Sequence, residues 1–136
     1  MIDLIIAAML QATAPNACNA VPLNPHAPGC PRWRLVGRQP DGDGYIDPDS
    51  ISRDGAAVEL TLRTVYPMAL RGGARSLVAR VRFDCGRRTR MVVHLTAYDV
   101  AGAVVFDAPV TSDPPAQAPD DSPFGAVLNE YCPRQG

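Results

Sequence analysis

The segment from residue 76 to residue 85, SLVARVRFDC, alternates apolar and polar side chains more regularly than any other part of the sequence. In an extended strand, one face would carry Leu77, Ala79, Val81, Phe83 and Cys85, and the other Ser76, Arg80, Arg82 and Asp84. This pattern predicts a strand with one face buried and one face in solvent. Because the last core-facing residue is Cys85, we expect this cysteine to need a disulfide partner.

Further strands are predicted on both sides of this segment. They cover residues 33–36, 45–46, 58–65, 89–98 and 104–106, and turn signals such as Asp54-Gly55 and Ala101-Gly102 lie between them. In residues 89–98 the apolar set is Met91, Val93, Leu95 and Ala97, and Val92 breaks the alternation. We therefore expect a single antiparallel sheet of about six strands.

A helix is predicted close to the C-terminus. Ser122 is a favourable N-cap and Pro123 suits the first helical position. One apolar stripe is formed by Phe124, Val127, Leu128 and Tyr131, with Cys132 at its edge. The fold class we expect is α+β, with this helix packed on one face of the sheet and tethered by a disulfide.

The four cysteines have no C-x-x-C spacing, which favours two disulfides over a zinc site or a redox centre. Four cysteines allow three connectivities. The positions of the strand and the helix favour Cys85 with Cys132, which leaves Cys18 with Cys30. Disulfides are typical of an oxidising compartment, so a periplasmic or secreted protein is expected.

The N-terminal residues are consistent with export. Residues 4–10 are apolar, and Ala12-Thr13-Ala14 offers a small-x-small cleavage site, so residues 1–14 are predicted to be a signal peptide. The alternative is an ordinary short helix. Residues 15–31, rich in proline, form a leader loop, and residues 32–133 form the domain. A lipid anchor at Cys18 is not supported, because the residues before it lack the hydrophobic residue of a lipobox.

Charge and motif spacing narrow the function classes. The chain has 136 residues and a net charge of -1, with 13 basic and 14 acidic groups, which argues against a nucleic-acid partner. No transmembrane segment is expected. Residues 39–50 fit part of an EF-hand calcium loop, but Gln39 and Ser50 stand at its first and last ligand positions. A hairpin turn is favoured there over calcium, and neither a metal nor a cofactor is expected.

Several short motifs resemble the surface-adhesin protein E family of Gram-negative bacteria. They are WRLVG at 33–37, YIDPDSI at 45–51 followed by Asp54-Gly55, Tyr66-Pro67, FDC at 83–85, Tyr98-Asp99 and a closing Cys132-Pro133. The resemblance covers roughly residues 32 to 133. It implies a small antiparallel sheet with a C-terminal helix tethered by a disulfide, and an envelope location. Well-known family members are surface lipoproteins that bind host-matrix proteins such as vitronectin and laminin.

The polar sheet face is the candidate binding surface. Alternation places Arg63, Arg80, Arg82, Arg90 and His94 on this face, with Glu59 and Asp84 as the only acids. Such a face predicts a protein or anionic-glycan partner, or a second copy of the chain, and the alternative is an ordinary solvated strand face. The protein is not expected to be an enzyme, because the sequence has no nucleophile motif such as G-x-S-x-G that could form a hydrolytic site with His94. A periplasmic structural or assembly factor is the other function considered.

Overall fold

The computed structural model of the protein describes residues 17–24 and 26–132. The predicted signal peptide, residues 1–14, lies outside the described residues. The strands are β1 (Arg34–Gln39), β2 (Gly42–Ile46), β3 (Ser52–Asp54), β4 (Ala57–Val65), β5 (Ser76–Asp84), β6 (Thr89–Tyr98), β7 (Val104–Pro109) and β8 (Ala116–Gln117). One α-helix, α1 (Pro123–Tyr131), follows them.

All pairings in the sheet are antiparallel, and its main order is β1-β2-β4-β5-β6-β7. The two short strands extend this sheet lengthwise. β3 pairs with the first part of β4 while β2 pairs with the last part, and β8 pairs with the first part of β6 while β7 pairs with the last part. The sheet therefore has eight strands but is only six strands wide.

The core lies between the sheet and α1. It is formed by Ile46, Val58, Leu60, Leu62, Ala79, Val81, Phe83, Val127, Leu128 and Cys132. In β5 the predicted alternation appears as buried Ala79, Val81 and Phe83 against exposed Arg80 and Arg82. The helix begins at Ser122, whose side chain accepts a hydrogen bond from the backbone N–H of Gly125 at 3.0 Å.

A disulfide joins Cys85, just after β5, to Cys132, just after α1. This bond attaches the C-terminal end of the helix to the sheet. The predicted α+β fold, a single antiparallel sheet with a disulfide-tethered C-terminal helix on one face, is confirmed.

Strand β6 contains an irregularity that explains the break at Val92. Arg80 of β5 lies opposite His94, but the next residue, Val81, lies opposite Val92, so Val93 is an extra residue. A bulge of this kind reverses the faces on one side of it relative to the other. Val92 therefore packs against the core. Met91 lies opposite the exposed Arg82, so the apolar set predicted for this strand is wrong at Met91.

The described part of the leader lies on the sheet face opposite α1, which we call the outer face. A second disulfide joins Cys18 to Cys30. The backbone N–H of Val21 donates a hydrogen bond of 3.0 Å to the carbonyl of Val100, in the β6–β7 connection. The outer face is therefore partly covered by this chain's own N-terminal segment.

Candidate binding surface

Four of the five predicted binding residues lie on the outer face, and three of them, Arg80, Arg82 and His94, are accessible to solvent there. Arg80 lies directly opposite His94 in the β5–β6 register, and Arg82 lies two residues further along the same face of β5. The Nε of Arg80 donates a hydrogen bond of 2.8 Å to Glu59, and the Arg80 side chain is 49% exposed. Among the described residues, no acid lies close enough to Arg82 to form an ion pair.

His94 belongs to a small polar network with strand β7. Its Nε2 lies 2.6 Å from Oδ1 of Asp107, and Thr96 donates a hydrogen bond of 2.8 Å to the same oxygen. The hydrogen bonds from His94 and Thr96 lower the pKa of Asp107 below its usual range. Glu59 and Asp107 therefore offset part of the positive charge of this surface.

Arg90 lies on the other side of the sheet. It is paired in register with Phe83, which is fully buried in the core. The guanidinium of Arg90 lies 4.8 Å from the ring centroid of Phe124 in α1 and forms a 3.2 Å ion pair with Asp113. The placement of Arg90 on the outer face is wrong, because the bulge in β6 reverses the alternation before His94.

Arg63 lies on the outer face but is completely buried. Its terminal nitrogens donate hydrogen bonds to Asn19 of the leader and to the hydroxyl of Ser76. The rings of Trp33 and Tyr98 lie 5.5 and 5.4 Å from its Cζ. The alternation of side chains predicted the correct face for Arg63. It could not predict that the leader would cover this face and bury the side chain.

The structure also shows an apolar surface that sequence reasoning did not identify. Large exposed apolar side chains gather on β7, in the turn before it and in the loop before β5: Met68, Leu70, Val100, Val104, Val105 and Phe106. Val104, Val105 and Phe106 are 59%, 43% and 52% exposed. The signal in the sequence was the unbroken run Val104-Val105-Phe106, which lacks the alternation of a half-buried strand.

Beside β7 there is an open groove of about 390 Å³. Its apolar lining is formed by Leu70, Ala74, Leu77, Leu95, Ala97, Val105 and Phe106. Ala97 and Phe106 lie opposite each other in the β6–β7 register, so the groove continues the helix-bearing face. Helix α1 contacts β1 and β2, near the opposite edge of the sheet, on this same face. We call the groove and the exposed side chains of β7 the β7 surface.

The residues considered for calcium have structural roles. Asp41 lies in the β1–β2 turn and Asp43 lies in β2. Asp47 caps a short 3-10 turn at Pro48–Ser50, where its side chain accepts a hydrogen bond from the backbone N–H of Asp49. Within residues 17–24 and 26–132, no three potential metal-ligating side chains of His, Cys, Asp or Glu come together.

The described helices are short. None of those within residues 17–24 and 26–132 is both long and apolar enough to cross a membrane.

A family model described as surface-adhesin protein E matches residues 33–133. No curated protein sequence matches the chain.

Solved structures of protein E from Haemophilus influenzae share the architecture. One, from a non-typeable strain, superposes with a TM-score of 0.56 at 16% identity and covers 81% of each chain. Another, crystal form II, has a TM-score of 0.54 at 21% identity and covers 83% of this chain and 96% of that chain. At these identities the likeness shows the fold alone.

Proposed function

This chain belongs to the surface-adhesin protein E family, and on that basis we propose that it is a non-catalytic envelope protein, periplasmic or secreted, that binds a protein partner. The observation that supports a protein partner is the β7 surface. Contiguous exposed apolar side chains of this kind mark interaction sites on soluble domains.

The geometry of β7 favours an extended segment as the bound element. Within the part of the chain that the structure describes, β7 pairs only with β6, so its other edge has backbone groups open to a further strand. Addition of a strand at such an edge supplies main-chain hydrogen bonds, and the neighbouring groove supplies contacts for apolar side chains. The proposed partner therefore offers an extended segment with apolar side chains.

The test is a double substitution on β7. Replacing Val104 and Phe106 with lysine adds charge at the exposed edge, and we expect the affinity for the partner to fall at least about tenfold, as for loss of central interface residues. The matched control is Leu35→Lys on β1, where the side chain is 37% exposed at the opposite edge of the sheet.

The partner is captured by cross-linking from envelope extracts and from host-matrix extracts, identified, purified and measured by calorimetry. Binding by the control together with loss in the β7 double variant supports the proposal. Equal binding by both variants contradicts it. Capture of an envelope component instead of a matrix protein favours the structural or assembly role. Self-association that depends on Val104 and Phe106 identifies the partner as a second copy.

A polyanionic glycan is the second candidate partner, and the exposed Arg82 beside Arg80 supports it. Replacing both with serine is expected to lower the salt concentration at which the protein elutes from heparin, whereas Arg38→Ser on β1 leaves it nearly unchanged. Unchanged elution of the Arg80 and Arg82 double variant excludes this partner for the outer face.

A further inference from the structure

The buried guanidinium of Arg63 is held mostly by the leader. Nη1 donates a hydrogen bond of 2.9 Å to Oδ1 of Asn19, and Nη2 donates one of 2.6 Å to the backbone carbonyl of the same residue. A longer bond of 3.5 Å joins Nη1 to the carbonyl of Cys18. From the sheet itself, Arg63 receives one acceptor, the hydroxyl of Ser76 at 2.7 Å from Nη2.

Asn19 occupies the position that a carboxylate normally takes on arginine. Two oxygens of one residue meet the two terminal nitrogens of the guanidinium, which is the two-pronged arrangement of an arginine–carboxylate pair. Both oxygens of Asn19 are neutral, however. A carboxylate in the same place would form charge-assisted hydrogen bonds, which are about twice as strong as neutral ones.

The guanidinium of Arg63 is a buried cation. Across residues 17–24 and 26–132, Arg63 forms no ion pair with an acid. Burial lowers its pKa to about 10, so the guanidinium remains protonated at neutral pH. The flanking rings of Trp33 and Tyr98 stabilise the cation only in part.

Two buried donors in this cluster have no hydrogen-bond partner among the residues that the structure describes: Nε of Arg63 and Nε1 of Trp33. Arg63 is 0% exposed and Trp33 is 8% exposed. An unpaired buried donor costs free energy, and such groups are rare in folded proteins. The leader therefore neither neutralises the positive charge of this cluster nor accepts hydrogen bonds from these two donors.

The contacts of the leader with the sheet are few enough for another segment to displace it from Arg63. No residue of its described part is fully buried, and its contacts with the sheet include the hydrogen bonds from Arg63 and one from the backbone N–H of Val21 to the carbonyl of Val100. Segments held by a few polar contacts open at low free-energy cost. The disulfide between Cys18 and Cys30 would keep a displaced leader close to its site.

We propose that Arg63, Ser76, Trp33 and Tyr98 form a binding site for a peptide carboxylate, and that Asn19 of the leader occupies this site until such a peptide displaces it. The site lies on the outer face, whereas the groove beside β7 lies on the helix-bearing face. Its ligand is an extended peptide that presents either a glutamate or aspartate side chain or its own C-terminal carboxylate.

The test uses the full chain and two substitutions of Asn19. Asn19→Asp gives the leader a carboxylate of its own and should hold it more firmly, whereas Asn19→Ala removes one of its two oxygens and should release it. We expect a glutamate-containing, C-terminally amidated hexapeptide to bind the alanine variant at least about tenfold more tightly than the aspartate variant, with the natural protein in between.

Trp33 supplies the signal. It is the only tryptophan in the sequence, so its fluorescence reports directly on the contact between its ring and Arg63. A second peptide has glutamine in place of glutamate and a free C-terminus, which separates a side-chain carboxylate from a terminal one. A third has glutamine and an amidated C-terminus, and it should not bind. Arg82→Ser is the control for non-specific attraction on the same face.

Equal affinities of the two Asn19 variants overturn the proposal, as does binding of the third peptide or a failure of the alanine variant to bind either carboxylate peptide. The proposal is also overturned if Arg82→Ser lowers the affinity for the carboxylate peptides as much as Asn19→Asp does. Arg63→Lys, if it folds, should abolish the difference between the Asn19 variants. Phe106→Lys alone, in the groove on the helix-bearing face, should leave the binding of these peptides unchanged, so this result does not depend on the fate of the β7 proposal.

Discussion

At the scale of single residues, Arg63 shows how a residue on a polar strand face can become part of the interior. Its neighbours Leu62 and Thr64 alternate as expected, but the leader closes over it. A buried cation of this kind depends on every hydrogen bond that it makes. Ser76, which is also fully buried, supplies the only acceptor that comes from the sheet.

Ser76→Ala tests this dependence. The substitution removes an acceptor from a charged donor, and we expect the free energy of unfolding to fall by about 2 kcal/mol, in the range for hydrogen bonds to charged groups. Urea unfolding measures it. Ser52→Ala on β3, where the side chain is exposed, should change stability by less than about 0.5 kcal/mol. A similar small effect at Ser76 would mean that the leader alone satisfies Arg63.

At the scale of elements, two contacts determine how helix α1 packs on the sheet, one between Arg90 and Phe124 and one between Gly44 and Pro123. The bulge in β6 turns Arg90 towards α1, where its guanidinium contacts Phe124. At the start of the helix, Pro123 packs against glycines of the first two strands. A Cβ on Gly44 would lie 2.6 Å from Cβ of Pro123, whereas a Cβ on Gly37 would lie no closer than 3.8 Å to the same residue.

Alanine substitutions at these two glycines form a matched pair. Gly44→Ala forces Pro123 away from β2, and we expect it to destabilise the protein by about 1–3 kcal/mol, the usual cost of overpacking. Gly37→Ala makes an ordinary van der Waals contact and should be close to neutral. Thermal unfolding of both variants tests the docking of α1, and equal melting temperatures would contradict the observed approach of the helix to β2.

At the scale of the whole molecule, the two disulfides stabilise different segments on opposite faces of one sheet. Cys85 and Cys132 are 47 residues apart and attach α1 to the core face. Cys18 and Cys30 are 12 residues apart and close the leader that covers Arg63. On the chain-entropy model these bonds contribute up to about 4 and about 3 kcal/mol.

Replacing each pair with serine should therefore have different structural effects. Loss of Cys85–Cys132 lets α1 separate, so we expect the helix amides to lose protection from hydrogen exchange and the core to bind a hydrophobic dye. Loss of Cys18–Cys30 should release the leader, including the amide of Val21, and leave the helix protected. Equal loss of helix protection in both variants would show that the two disulfides do not stabilise the helix and the leader independently.

Much of the fold followed from local patterns. Alternation in residues 76–85 predicted β5 and its buried face, and the N-cap with the apolar stripe predicted α1, because the periods of strands and helices are properties of the backbone itself. The edge strand β7 was predicted at 104–106, but not its role as the rim of an apolar groove. Whether an apolar side chain remains exposed depends on which element packs over it.

The sequence by itself determined the six longer strands, the helix and the face on which most side chains of β4 and β5 lie, since these depend on neighbours along the chain; the short strands β3 and β8 were not predicted. Only the tertiary structure decided what covers each face. It put the leader over Arg63, moved Arg90 to the helix side through one extra residue in β6, and, among the described residues, left β7 without a covering element. These outcomes depend on contacts between residues far apart in the chain, which strand and helix periodicity does not encode.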